Sequence, residues 1–325
     1  MHCELLVPGL LAPLERGALP RLPALELLLA RGRAKEADGS TMEAWLGEAF
    51  GLDTVPAGAL TALADGGEPG AAAWARADPV HLRLLRDRAV IVPAEAFDVP
   101  QADAAALVAA LNRHFAGRLE LQARTPARWV VRLAEPMELP ATPALAVAGA
   151  PAEPGRGDAL LTEVQMVLHE HPVNEAREAR GEPAINSVWL WGAGAAPGSV
   201  SAPWHSVVAG DPLVRGLARA AQVRAHEALA GRAWLERAPE DGRHLVVLDS
   251  LRAAAALADA GAFSRSVEVL EEQWFEPLVA ALRADRVGMV TLHVPDAAQA
   301  LSVETIHGDL RRIWRRPRPL SYWIR

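Results

Sequence analysis

Apolar residues in this chain gather in short unbroken runs separated by amphipathic stretches. The runs at 4–7 (ELLV), 89–92, 188–191 (VWLW), 206–209, 244–248 (HLVVL) and 287–294 (VGMVTLHV) read as strands, and VWLW, four apolar residues together, shows no alternation. A strand covered on both faces, as in a parallel sheet, reads this way. Between them lie helical spacings. Leu22, Leu25, Leu28 and Leu29 share one face over 22–30, and a second helix is expected over 102–115. Residues 160–168 form a third, stopped by Pro172. Asn174 is placed to cap a short helix over 175–180, and Asp211 one that runs to 229. Over 264–282 a long helix turns Val267, Leu270, Trp274 and Leu278 inward, with a kink expected at Pro277.

Other segments are less regular. Ser40-Thr41-Met42-Glu43 has the S-x-x-E spacing of a capping box and opens a helix with Trp45 and Phe50 inward. Residues 58–70 and 76–82 read as loops, 119–121 and 129–133 as the arms of a hairpin, and 234–237 as a weak strand. The proline-rich 135–157 reads as a linker-like return. Alternating strands and helices predict an α/β fold, a mostly parallel sheet with helices on both faces. The expected organisation is a core over 1–83, a small α+β insert over 84–158, and the rest of the core over 159–325.

The chain has 325 residues, 51% of them hydrophobic and 22% charged, so it can bury a core. A net charge of −7 disfavours nucleic acid as a partner of the whole surface. With one cysteine, Cys3, no intramolecular disulfide forms, and a reducing compartment, the cytoplasm, is expected. No window is apolar for long enough to predict a membrane span.

Nucleotide-loop, nucleophile-elbow and zinc-type cysteine motifs are missing. His169 and His171 stand two apart, so a helix would turn them away from each other, and a polar helix end is the better reading. Three residues are placed for chemistry. Ser40 opens a helix, where free N–H groups favour phosphate. Asp249 and His293 each end, or nearly end, a buried-type strand, the edge at which α/β sheets place ligands. Each has a structural explanation too: an N-cap for Ser40 and Asp249, a hydrogen-bonded core residue for His293.

The stretch 164–194 carries the most specific signal. HPVNEAREARGEPAINSVWLWGAG resembles a segment of the archaeal-type cofactor-independent phosphoglycerate mutases, members of the alkaline phosphatase superfamily. The likeness rests on His171, Pro172, Asn174, Arg177, Gly181, Asn186, Trp189, Trp191, Gly192 and Gly194. As a whole the chain resembles the bacterial group of RpfE-type regulatory proteins. The resemblance implies an alkaline-phosphatase-like sheet, a serine nucleophile at a helix N-terminus and two divalent metals held at strand ends. Carried over residue by residue, it assigns the nucleophile to Ser40 and metal ligands to Asp249 and His293. Asn174, Arg177 and Asn186 become polar candidates for lining a ligand cleft. Much of the implied ligand set is missing. The first strand ends in Val7-Pro8-Gly9 without an acid, Asp249 is followed by no histidine, and His293 is preceded by Leu292. The arginine-rich loop of the insert is reduced to Arg86-Asp87-Arg88.

Two divalent ions held close together need several carboxylates. The expectation is therefore a degenerate relative, a binding or regulatory protein without the two-metal site. Its partner would be a phosphorylated small molecule or a protein, and no cofactor is assigned. The alternative is a phosphohydrolase or phosphotransferase using Ser40 with one divalent metal, manganese or zinc. A third reading gives the arginine- and tryptophan-rich 310–325 to an anionic surface or nucleic acid. Against it stands a final amphipathic helix docked on the domain, which the acidic whole favours.

Overall fold

The computed structural model describes residues 1–13, 19–86, 88–151, 158–227, 229–237 and 241–324. In chain order the strands are β1 (His2–Leu6), β2 (Arg33–Asp38), β3 (Ala73–Leu84), β4 (Ala89–Pro93), β5 (Leu119–Thr125), β6 (Arg128–Leu133), β7 (Ser187–Gly194), β8 (Ser206–Ala209), β9 (Arg224–His226), β10 (Arg243–Val247), β11 (Met289–Val294) and β12 (Gln299–Ile306). The helices are α1 (Pro23–Arg31), α2 (Met42–Ala49), α3 (Ala57–Ala64), α4 (Gln101–His114), α5 (Asp158–His169), α6 (Pro172–Ala179), α7 (Pro212–Ala220), α8 (Gly231–Arg237), α9 (Arg252–Ala256), α10 (Ala260–Leu270) and α11 (Glu276–Arg283). They form an α/β fold in two compact units, Met1–Leu52 with Ser199–Arg325, and Asp53–Gly198.

The first unit holds a mixed seven-stranded sheet in the order β2-β12-β11-β1-β10-β8-β9. The strands from β11 to β9 run parallel, whereas β12 is antiparallel to both β11 and β2. Cys3, Leu5 and Val7 of the β1 segment alternate onto one face, where they join Leu25, Leu28, Phe263, Phe275 and Leu278 in the core. Strand β2 (RAKEAD) is exposed throughout, which is why no apolar pattern marks it.

Helix α1 has no side-chain cap of its own at Leu22. Instead Glu271 accepts the N–H groups of Ala24 (2.5 Å) and Leu25 (3.0 Å). Burial pushes the Glu271 carboxyl up, and these two donors oppose the shift. Glu271 can reach because a π turn, Glu271–Phe275, joins α10 to α11. Pro277, which brings no N–H to the helical ladder, lies two residues past this π turn, at the start of α11. The expected 264–282 helix is therefore continued through a π turn, and the expected strand at 234–237 is helix α8.

The second unit has a five-stranded antiparallel sheet, β4-β3-β6-β5, with β7 on the other edge of β3. Here lies VWLW, which pairs antiparallel to β3 (Val188 with Pro79, Leu190 with Ala77) rather than in a parallel sheet. Its apolar run is explained by cover: Val188 and Leu190 pack with Leu160, Val164 and Leu168, while Trp191 is buried beside Asp78. The expected loop at 76–82 is the middle of β3. Its polar residues are internally satisfied, with Asp78 accepting from both Arg76 and Trp191 Nε1. The expected loop at 58–70 contains α3. A Cβ at Gly58 would come within 2.4 Å of the Ala75 main chain, so the small residues there serve close helix–sheet packing. Because β3 and β7 share one sheet, this unit spans Asp53–Gly198, where 84–158 was expected.

Candidate functional site

The sheet of the first unit ends at one edge in the segments after β1, β10, β8 and β11. Val7 donates its N–H to the carbonyl of His293 (2.9 Å) and Leu248 to that of Leu6 (2.9 Å). Asp249 follows the strand on one side of β1, and His293 is the penultimate residue of the strand on the other. Both stand near the edge expected for them.

Around Asp249 the groups are charged and mostly buried. Asp211 caps α7, its Oδ1 accepting from Leu213 N at 2.7 Å. Its Oδ2 lies 3.5 Å from Arg252 Nη1. Arg252 Nη2 donates to Glu43 Oε1 at 2.6 Å. Burial pushes the Asp249 carboxyl up and the charge of Asp211 adds to this, while Arg252 and Arg215 oppose it. One guanidinium thus sits among three carboxylates, those of Glu43, Asp211 and Asp249. Gly9, at φ +83°, lets the loop after β1 approach the same place; a Cβ there would be 3.1 Å from Ala255 Cβ and 3.6 Å from Arg252 Cα.

Around His293 the arrangement differs. Its Nδ1 shares a hydrogen bond with Ser302 Oγ (2.9 Å), and its Nε2 lies 3.4 Å from Glu4 Oε2. That second contact is not a formed hydrogen bond, since Nε2 has no partner of good geometry. The Trp45 ring lies 5.0 Å from the imidazole, and Trp204 continues the stack at 6.1 Å from Trp45. Glu4 also accepts from Arg243 Nε at 2.8 Å. Burial alone would raise the Glu4 carboxyl, but contact with His293, the bond from Arg243 and the charge of His2 bring it down to about 2.

Ser40 is not the helix cap. Thr41 is, its Oγ1 accepting from Ala44 N at 3.2 Å. The Ser40 hydroxyl donates to the Thr41 carbonyl (3.2 Å), and its N–H to the Asp296 carbonyl (2.8 Å). Glu43, read as the returning acid of a capping box, turns to Arg252 instead. Asp249 caps nothing either, because α9 starts at Arg252 without a side-chain cap.

Among the described residues no three His, Cys, Asp or Glu side chains are placed to hold a metal ion. Asp249 faces arginines, and His293 is turned to Ser302 and Glu4. The donor set is a poor fit for the divalent ions that the sequence resemblance implies, because the Arg252 guanidinium occupies the centre of the carboxylates that would ligate an ion and its charge opposes one.

The candidates in the second unit are structural. Asn174, 2% exposed, donates to the carbonyls of Leu168 (2.8 Å) and Ile185 (2.9 Å) and accepts from Ile185 N (2.8 Å). It does not cap α6; His171 does, its Nδ1 accepting from Val173 N at 3.2 Å, with Pro172 opening the helix. Arg177, 1% exposed, donates to Pro183 O (2.8 Å), Asp98 O (2.7 Å) and Asp103 Oδ2 (3.0 Å). Asn186 pairs with both backbone groups of Leu82, at 2.7 and 3.1 Å. Asn174 and Arg177 therefore tie α6 into the unit and line no cleft. Gly192, at φ +60°, and Gly194 admit the start of α3. The motif that carries the family resemblance is a set of internal fastenings. Of Arg86-Asp87-Arg88, Asp87 lies outside the described residues and both arginines are exposed.

No family model matches the sequence, and no curated protein does either. Among solved structures, the PH0037 protein from Pyrococcus horikoshii is similar at a TM-score of 0.50 and 17% identity, over 94% of this chain and 87% of that one. A cofactor-independent phosphoglycerate mutase from Thermoplasma acidophilum DSM 1728 is similar at a TM-score of 0.42 and 17% identity, over 94% and 90%. The first likeness is one of fold, shared across nearly the whole chain.

Sequence reading missed Arg252, Glu43, Glu4 and Ser302. The only signal for Arg252 was its place three residues after Asp249, where charge rather than motif had to be read.

Proposed function

We propose that this protein is a degenerate phosphoglycerate mutase-like protein, with a binding or regulatory role, in which an arginine replaces metal at the sheet edge. The sequence resemblance supports the ancestry. The observation that carries the reading is the Arg252 guanidinium, 2.6 Å from Glu43 and 3.5 Å from Asp211, beside Asp249. A fixed cation there offsets part of the acids' charge without an ion and repels a divalent one. The test is titration calorimetry of the purified protein with manganese and zinc, with a 3-phosphoglycerate conversion assay in the same buffers. The expected result is no stoichiometric metal binding and no turnover. Two bound metals with turnover would overturn the reading.

A second reading, phosphoryl transfer through Ser40, gains from one observation. Thr41 does the capping, so the Ser40 hydroxyl is not consumed by the helix start. It predicts a phosphoenzyme trapped on Ser40 and abolished in Ser40→Ala. Hydrolysis of a phosphomonoester unchanged in that variant would remove it.

A further inference from the structure

Beyond Asp309 the sequence through 325 holds no acidic residue, while Arg311, Arg312, Arg315, Arg316 and Arg318 are closely spaced. The expected amphipathic helix does not form over the described part. The chain makes a 3-10 turn at His307–Arg311 and another at Leu320–Tyr322, and Pro317 and Pro319 block a helix between them. Residues 313–319 are all exposed, with Ile313 at 74% and Trp314 at 75%. The flanks are fixed. Arg312 pairs with Asp309 at 2.7 Å and donates to Arg31 O at 3.3 Å. Arg315 donates to Gly32 O at 2.8 Å, and Leu320 is fully buried. The Arg318 guanidinium lies 5.5 Å from the Tyr322 ring, itself exposed. An anchored turn thus holds two adjacent large apolar side chains in water, with arginines on both sides of them in sequence.

We propose that this turn docks the protein on an anionic lipid surface. Adjacent exposed apolar side chains rimmed by polar residues are the kind of patch that marks an interaction site. Tryptophan suits the headgroup level of a bilayer, and arginines on either side are drawn to anionic lipid. Isoleucine decides between lipid and nucleic acid, because it offers hydrocarbon to insert but no ring on which a base stacks. With the whole chain at −7, attraction is confined to this patch and sets the orientation of docking.

The experiment is co-sedimentation of the full chain with vesicles of phosphatidylcholine alone and of phosphatidylcholine with phosphatidylserine. Binding is expected on the second only, weakening as salt rises. Arg316→Gln is expected to lose roughly fivefold in affinity, given about 1 kcal/mol per basic residue near the surface. Ile313→Ser with Trp314→Ser is expected to abolish binding while circular dichroism stays unchanged, since both side chains are exposed. Equal binding to neutral vesicles, binding indifferent to the double variant, or binding to an oligonucleotide but not to vesicles would each overturn the proposal.

Discussion

Arg252 donates to Glu43 at 2.6 Å across 209 residues of sequence, tying the start of α9 to the first turn of α2. Both side chains are largely buried, at 18% and 6% exposure. The pair holds together the two helices at the candidate site.

Removing one partner strands the other's charge. Arg252→Ala is expected to cost about 3–5 kcal/mol in urea unfolding. Adding Glu43→Gln should recover a good part of that loss. A double-mutant cycle with no coupling would show that the contact carries no weight.

Asp249 tests the same cluster from the opposite sign. Its carboxyl is raised by burial and by Asp211, so its ionised form opposes folding above its folded pKa. Asp249→Asn should therefore raise Tm by a few degrees at neutral pH. The gain should vanish as pH falls below the ordinary aspartate range, where the native carboxyl is protonated in both states. A loss of stability at neutral pH would contradict the assignment.

Glu4 behaves in the reverse way. Its folded pKa is about 2 against an ordinary 4.5, so its stabilising contribution is full above about 4.5 and lost as pH falls through 2. Glu4→Gln should lower stability at neutral pH. The difference from the natural protein, followed by thermal unfolding, should close over that acid window.

In the second unit Arg177 uses its planar fork on two carbonyls and one carboxylate. Lysine keeps the charge but cannot reach all three. Arg177→Lys should cost roughly 2–4 kcal/mol in denaturant unfolding. A near-neutral result would mean that ionic contact with Asp103 alone suffices.

The local sequence determined much of the secondary structure. ELLV, SVVA, HLVVL and VGMVTLHV coincide with or overlap β1, β8, β10 and β11, because short segments rich in apolar and β-branched residues fit buried strands. The leucines of α1 and the hairpin of β5 and β6 were legible for similar reasons. Tertiary structure decided the rest. Burial on both faces does not distinguish a parallel partner from an antiparallel one, so the sequence of VWLW leaves open the antiparallel partner, β3, that the fold gives it. The loop expected over 58–70 follows from its glycines and polar end, whereas the alanines and leucines of α3 favour helix by themselves, and only the close fit of Gly58 against Ala75 is a tertiary matter. Ser40, Asp249 and His293 are candidates that the sequence offers from expected places at helix and strand ends. The site's charge balance is not legible there, because Arg252, Glu43 and Asp211 meet only when distant segments converge, and Coulomb energy depends on distance in space rather than along the chain.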